Sequence, residues 1–130
     1  MENTAPRRGI LWLSLPEQKS PVCPIFSQAA EHFHVTLRFG VFENEIPEGI
    51  LGRIFTARAT ENCFNDRIHA LRVELPNGVR GVCLNKHPHM TISMLPGVRP
   101  VESNVMLQSP LSIQRENFSF PLVCEFVPFN

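Results

Sequence analysis

The chain has 130 residues, the usual size of one compact domain, and 43% of them are hydrophobic, which excludes disorder. Twelve Lys and Arg balance twelve Asp and Glu. A formal net charge of zero excludes a strong global field that would gather a long polyanion, so any nucleic-acid substrate must be short or met by a local patch.

Met1-Glu2-Asn3 opens a polar stretch rather than a secretory leader, and no apolar run is long enough to cross a bilayer. The four cysteines (Cys23, Cys63, Cys83, Cys124) form no Cys-x-x-Cys pair and read as reduced thiols. Together these features predict a cytoplasmic protein with no membrane attachment.

In chain order, Gly9 to Leu15 predicts a buried strand ended by Pro16. Ile25 to Glu31 fits a short helix. Phe33 to Phe39 alternates His and Thr on one side with Phe, Val and Leu on the other, a strand pattern. Gly40 and Pro47 bracket a loop. Pro47 to Thr60 predicts a helix, with Ile50, Leu51, Ile54 and Phe55 at helical spacing. Ile68 to Leu75 alternates again, Pro76-Asn77-Gly78 reads as a hairpin turn, and Val79 to Leu84 as the return strand. His87 to Met94 predicts a strand and Val101 to Leu107 a short helix. Phe118 to Phe126 is a last strand, where Pro121 requires an edge or a bulge. Strands and helices without a βαβ rhythm predict an α+β fold over a single domain, residues 1–130.

One string repeats. His-x-His-x-Thr occurs at His32-Phe33-His34-Val35-Thr36 and again at His87-Pro88-His89-Met90-Thr91. On a strand, residues i and i+2 share a face, about 6.6 Å apart. His34 therefore sits beside Thr36, and His89 beside Thr91. Two such strands would bring two imidazoles and two hydroxyls to one pocket.

That set suits phosphodiester cleavage. Attack at phosphorus needs a base for water and an acid for the leaving oxygen, and imidazoles serve as both near neutrality. Threonine hydroxyls can hold the non-bridging oxygens. No cofactor is called for. A zinc site is the competing reading, since His-x-His suits Zn²⁺ and Cys83 lies four residues before His87, but it leaves the threonines idle and lacks an acidic ligand. Ordinary exposed polar residues are the other. Trp12 reads as core packing or as a platform for a base. Arg38 alternates to the face of His34 and Thr36, within reach of a phosphate. Lys86 and Arg99 flank the second motif, and His69 reads as structural.

The pair His34-Val-Thr36-Leu and His89-Met-Thr91-Ile resembles the two signatures of the two-histidine phosphoesterase superfamily. With Asp66 to Val73, Asn85 to Ile92 and Val98 to Asn104 added, the chain is similar to the cyclic phosphodiesterase domain of fungal-type tRNA ligases, from about Phe33 to Asn104. The resemblance implies a two-lobed α+β fold, with antiparallel sheets lining a central cleft and helices outside. It implies hydrolysis of RNA or nucleoside 2′,3′-cyclic phosphates to a 2′-phosphate. The partners it implies are RNA 3′ ends or small cyclic or 2′-linked nucleotides. By motif match His34 and His89 are the acid–base pair and Thr36 and Thr91 the phosphate ligands, with Trp12 and Arg38 as substrate contacts. His32 and His87 lie outside the signature. The chain is shorter than most relatives, so two alternatives stand: degradation of 2′-5′ oligoadenylate or cyclic oligonucleotide signals, and a non-catalytic nucleotide-binding module.

Overall fold

The computed structural model describes residues 5–130; the polar start at Met1-Glu2-Asn3 lies outside them. Seven strands follow in order: β1 (Arg8–Ser14), β2 (Gln28–Ala29), β3 (His34–Phe42), β4 (Ile54–Phe64), β5 (Ile68–Glu74), β6 (His89–Met94) and β7 (Ser112–Pro128). The helices are one turn each, α1 (Asn77–Arg80) and α2 (Glu102–Met106), with a 3-10 turn at Glu43–Glu45. Among the described residues no helix is long and apolar enough to cross a membrane.

The expected α+β fold with two lobes and outer helices is therefore corrected. All strands join one antiparallel sheet, ordered β2-β6-β3-β1-β7-β4-β5, and an additional β5–β6 pairing closes it on itself. Leu11, Leu13, Val35, Leu37, Ala57, Ala59, Leu71, Met90, Ile92 and Leu122 alternate inward and are fully or almost fully buried. Period-two burial on six strands supplies a core without helices.

Five local expectations fail for identifiable reasons. The segment expected as a helix from Pro47 becomes turns followed by β4. Gly49 and Gly52 adopt φ of +83° and +81°, which a helix cannot use. Beyond them Phe55, Ala57 and Ala59 are buried in strand alternation. Pro76-Asn77-Gly78 opens α1 rather than a hairpin, and Val79 is drawn into the core. The return strand for β5 is thus not 79–84; β5 pairs with β4 and β6. The segment Ile25–Glu31 is not helical, because Ser93 Oγ accepts the N–H groups of both Ile25 and Phe26 and β2 pairs with β6. The loop expected from Gly40 begins later, since β3 runs on to Phe42.

Pro121 lies inside the long β7, opposite Thr56 of β4. Pairing with β1 reaches only Val123, opposite Ser14. One flank of β7 is open at the proline, the local edge such a residue tolerates.

β3 carries two bulges. Leu11 pairs with Arg38 but Trp12 pairs with Thr36, and Gly9 pairs with Val41 but Ile10 with Phe39. Gly40 supplies the φ of +80° for the second. The four cysteines are unpaired, with Cys63 and Cys124 buried.

Candidate active site

The cleft lies where β3 and β6 meet. Their one paired position is Val35 with Met90, and both side chains point into the core. The residues on either side must therefore point out, onto one shared face. Continuing the antiparallel register by one residue on each side sets His34 on the side of Thr91 and Thr36 on the side of His89. Each histidine thus faces the threonine of the other motif.

These four side chains line a cavity of about 880 Å³ that also takes in Trp12, Arg38, Phe39, Leu84, Asn85, residues 28–32 of the β2 segment, and Val98, Pro100, Val101 and Asn104 near α2. All six residues expected at the site are in this one cleft.

Both histidines are held the same way. The Nδ1 of His34 lies 3.0 Å from the carbonyl of His32, and the Nδ1 of His89 lies 2.7 Å from the carbonyl of His87. A carbonyl only accepts, so Nδ1 carries the proton and donates. In each neutral ring the lone pair then sits on Nε2. This is the contribution of the outer histidines that the motif reading passed over: their backbone oxygens orient the inner rings. The i, i−2 spacing inside each His-x-His is the signal that could have found it.

The His32 side chain adds to the first motif. Its Nδ1 lies 3.0 Å from that of His34 and its Nε2 3.2 Å from Ser14 Oγ. The Trp12 indole packs on both rings, with centroids 4.4 Å from His32 and 4.0 Å from His34. Its Nε1 donates to Glu125 Oε1 at 3.1 Å. On the second motif, Arg72 donates to His87 Nδ1 and to the Leu107 carbonyl, each at 3.0 Å, and to Glu61 Oε1 at 2.8 Å. Arg72 thereby anchors the residue whose carbonyl holds His89.

The threonines differ. Thr91 Oγ1 is 2.8 Å from Ser103 Oγ, on α2 and fully buried. Thr36 Oγ1 makes no side-chain hydrogen bond among the described residues. Arg38 Nε donates to the Val82 carbonyl at 2.8 Å, which fixes the guanidinium at the cleft wall.

Burial pushes His34 down to about 4, aided by the neighbouring His32 and His89 and opposed by the carbonyl bond. Burial also lowers His89, aided by Arg72 and His87 and opposed by its carbonyl bond. Both rings are therefore neutral at pH 7. A bound anion favours the charged form and moves them back toward protonation.

His69 lies outside the cleft. It is fully buried, bonded to Asn62 Oδ1 through Nε2 and 3.2 Å from Ser93 Oγ through Nδ1, the structural role expected of it. Among the described residues no three His, Cys, Asp or Glu side chains converge as a metal-binding group; Cys83 instead lies near the carbonyls of Asn85 and Thr36.

Neither a search of curated proteins nor one of solved structures gave a match. A family model does match, described as the fungal tRNA ligase phosphodiesterase domain, over residues 52–119. That span is just over half of the chain. It holds the second motif, His87 to Thr91, and begins after the first, so it lies further toward the C-terminus than the stretch from Phe33 to Asn104. The chain belongs to the fungal tRNA ligase phosphodiesterase domain family, and its activity class is that of a phosphodiesterase.

Proposed function

We propose that this cleft hydrolyses the 2′,3′-cyclic phosphate of an RNA end or nucleoside to a 2′-phosphate, without a metal or other cofactor. The observation that carries the reading is the Val35–Met90 register, with both histidines donating through Nδ1 to backbone carbonyls. That arrangement leaves two Nε2 atoms for proton transfer and a threonine across from each.

In the reaction one imidazole takes a proton from water as its oxygen attacks phosphorus. The P–O3′ bond breaks, and the other imidazolium gives its proton to O3′. Products are a 2′-phosphomonoester and a free 3′-hydroxyl. Because burial keeps both rings neutral, the substrate's own negative charge recruits the proton that the acid needs. Thr36 and Thr91 donate to the non-bridging oxygens. Ser103 Oγ, 2.8 Å from Thr91 Oγ1, positions that hydroxyl for the phosphate. Trp12 holds the His32 and His34 rings in place, and Arg38 offers its remaining guanidinium donors to the phosphate.

The test is a substrate panel of nucleoside 2′,3′-cyclic phosphates, RNA with a cyclic end, 2′-5′ oligoadenylate and cyclic dinucleotides, with product analysis for 2′- against 3′-phosphate. His34→Ala and His89→Ala should each remove most turnover. Full activity in either variant, or a 3′-phosphate product, would refute the mechanism. A second reading has support from the cavity, which at about 880 Å³ is near the upper end for small-ligand pockets. It has room for more than a mononucleotide, so a 2′-5′-linked or cyclic dinucleotide is the competing substrate. Saturable binding with no product in a single turnover would instead identify a nucleotide-binding module.

A further inference from the structure

Strict alternation along β3 puts Phe39 in the core with Phe33, Val35 and Leu37. The structure places it elsewhere. The bulge at Leu37 and Arg38 adds one residue to β3, and a one-residue slip sends the side chains beyond it to the other face. Phe39 accordingly pairs with Ile10, and both line the cleft. The second bulge, at Gly40, then returns Val41 to the core, where it is buried. Two bulges thus bracket one exposed aromatic ring, and bulges beside ligand sites commonly re-aim a side chain.

Phe39 is 76% exposed and Leu84, on the same cleft, 72%. Two such apolar side chains lining one cleft, rather than scattered singly, suit a ligand-binding wall. Phe129 braces the Phe39 ring from one side, with centroids 5.2 Å apart and planes tilted by 48°. Trp12 is the other aromatic of the cleft, but the His32 and His34 centroids, only 5.1 Å from each other, share one face of its indole. Phe39 is the more available ring.

Position favours the same reading. Thr36 and Phe39 sit opposite Trp12 and Ile10, which are two residues apart on β1, so about 6.6 Å separates them along the strand. That is about the span of a nucleotide from its ribose phosphate to the ring of its base. Among the residues lining the cleft, Arg38 is the one Lys or Arg and Glu31 the one carboxylate. The wall beyond the phosphate site is apolar and aromatic, formed by Ile10, Phe39 and Leu84.

We infer that Phe39 is the specificity residue of the cleft, the platform on which the terminal nucleobase of the substrate stacks. This rests on the proposed phosphodiesterase reading of His34 and His89. Any base has a π-face, so stacking here selects for a nucleotide over a base-free phosphodiester and discriminates weakly among bases.

The test compares wild type, Phe39→Ala and Phe39→Trp on a nucleoside 2′,3′-cyclic phosphate and on methyl riboside 2′,3′-cyclic phosphate, which lacks a base. Phe39→Ala should raise KM for the nucleotide about ten-fold or more, leave KM for the base-free compound unchanged, and change kcat little. Phe39→Trp should restore the nucleotide KM. Equal KM values for wild type and Phe39→Ala, or the same loss on both compounds, would overturn the inference. Its failure is separable from failure of the underlying reading. Loss of turnover in His34→Ala with no effect of Phe39→Ala sinks the stacking role alone. If wild type turns over neither compound, calorimetry with a nucleoside 2′-phosphate still decides it, because Phe39→Ala must weaken that binding by the same factor.

Discussion

Lowering the pH from 7 to 5 should destabilise this protein well before its carboxylates protonate. Burial holds both His34 and His69 down at about 4 in the folded chain, against about 6.5 when unfolded. Between those values the unfolded state binds more protons, so stability falls as pH drops through this window and levels off near 4. At pH 5 each group then costs about 2 kcal/mol, about 4 kcal/mol together, a large part of the 5–15 kcal/mol typical of a domain. Around His69 the geometry points the same way as burial: its Nδ1 faces the Ile25 N–H at 3.4 Å, so a proton there sets donor against donor. The lowered Glu43 and Glu102, beside Arg7 and Arg67, act in the other window: their contribution is present above the ordinary glutamate value and is lost only as pH falls below it. Urea denaturation at pH 7, 6 and 5, read as the shift in midpoint at constant m, measures the effect. His69→Gln and His34→Asn should each shrink the loss between pH 7 and 5 by about 2 kcal/mol. A wild type equally stable at both pH values, or a His69→Gln variant with the full wild-type loss, would refute the reasoning.

Other outcomes follow from the site. Binding of a nucleoside 2′-phosphate should take up protons between pH 5 and 7, because the anion raises the lowered His34 and His89; calorimetry in buffers of different ionisation enthalpy reads this, and no uptake would contradict it. Arg72→Met should lower kcat by about ten- to a hundred-fold through displacement of the His87 carbonyl that holds His89, with a shifted pH–rate profile and a smaller change in KM. Gly40→Ala should cost about 1–2 kcal/mol in thermal or urea unfolding, since it forces φ of +80° on an L-residue. The new Cβ would lie 2.8 Å from Arg8 Nη2, a flexible end that can move, so the strain is chiefly in the backbone.

The elements that could be read from the sequence were those whose own side chains decide them. Gly9 to Leu15 is an apolar run, Phe33 to Phe39 and Ile68 to Leu75 alternate, His87 to Met94 carries the repeated motif, and each corresponds to a strand. Ile50, Leu51, Ile54 and Phe55 satisfied a helical period by chance, and positive φ at Gly49 and Gly52 decided against it. The short helix expected at Ile25 lost to a tertiary bond, the Ser93 hydroxyl taking two of its N–H groups. Two lobes with outer helices were expected from the resemblance, and no single strand announces that β5 and β6 will close the sheet.

For the site, residue chemistry and i, i+2 spacing were enough to single out His34, Thr36, His89 and Thr91, because both are local properties of a strand. What spacing could not supply was the partnering. The opposition of His34 to Thr91, the carbonyls of His32 and His87 behind the two rings, the buried Ser103 beside Thr91 and the bulge that turns Phe39 outward all depend on segments brought together from distant parts of the chain. Those arise only when the sheet closes and one register, Val35 against Met90, buries its apolar face while rejecting the slip that would bury the histidines.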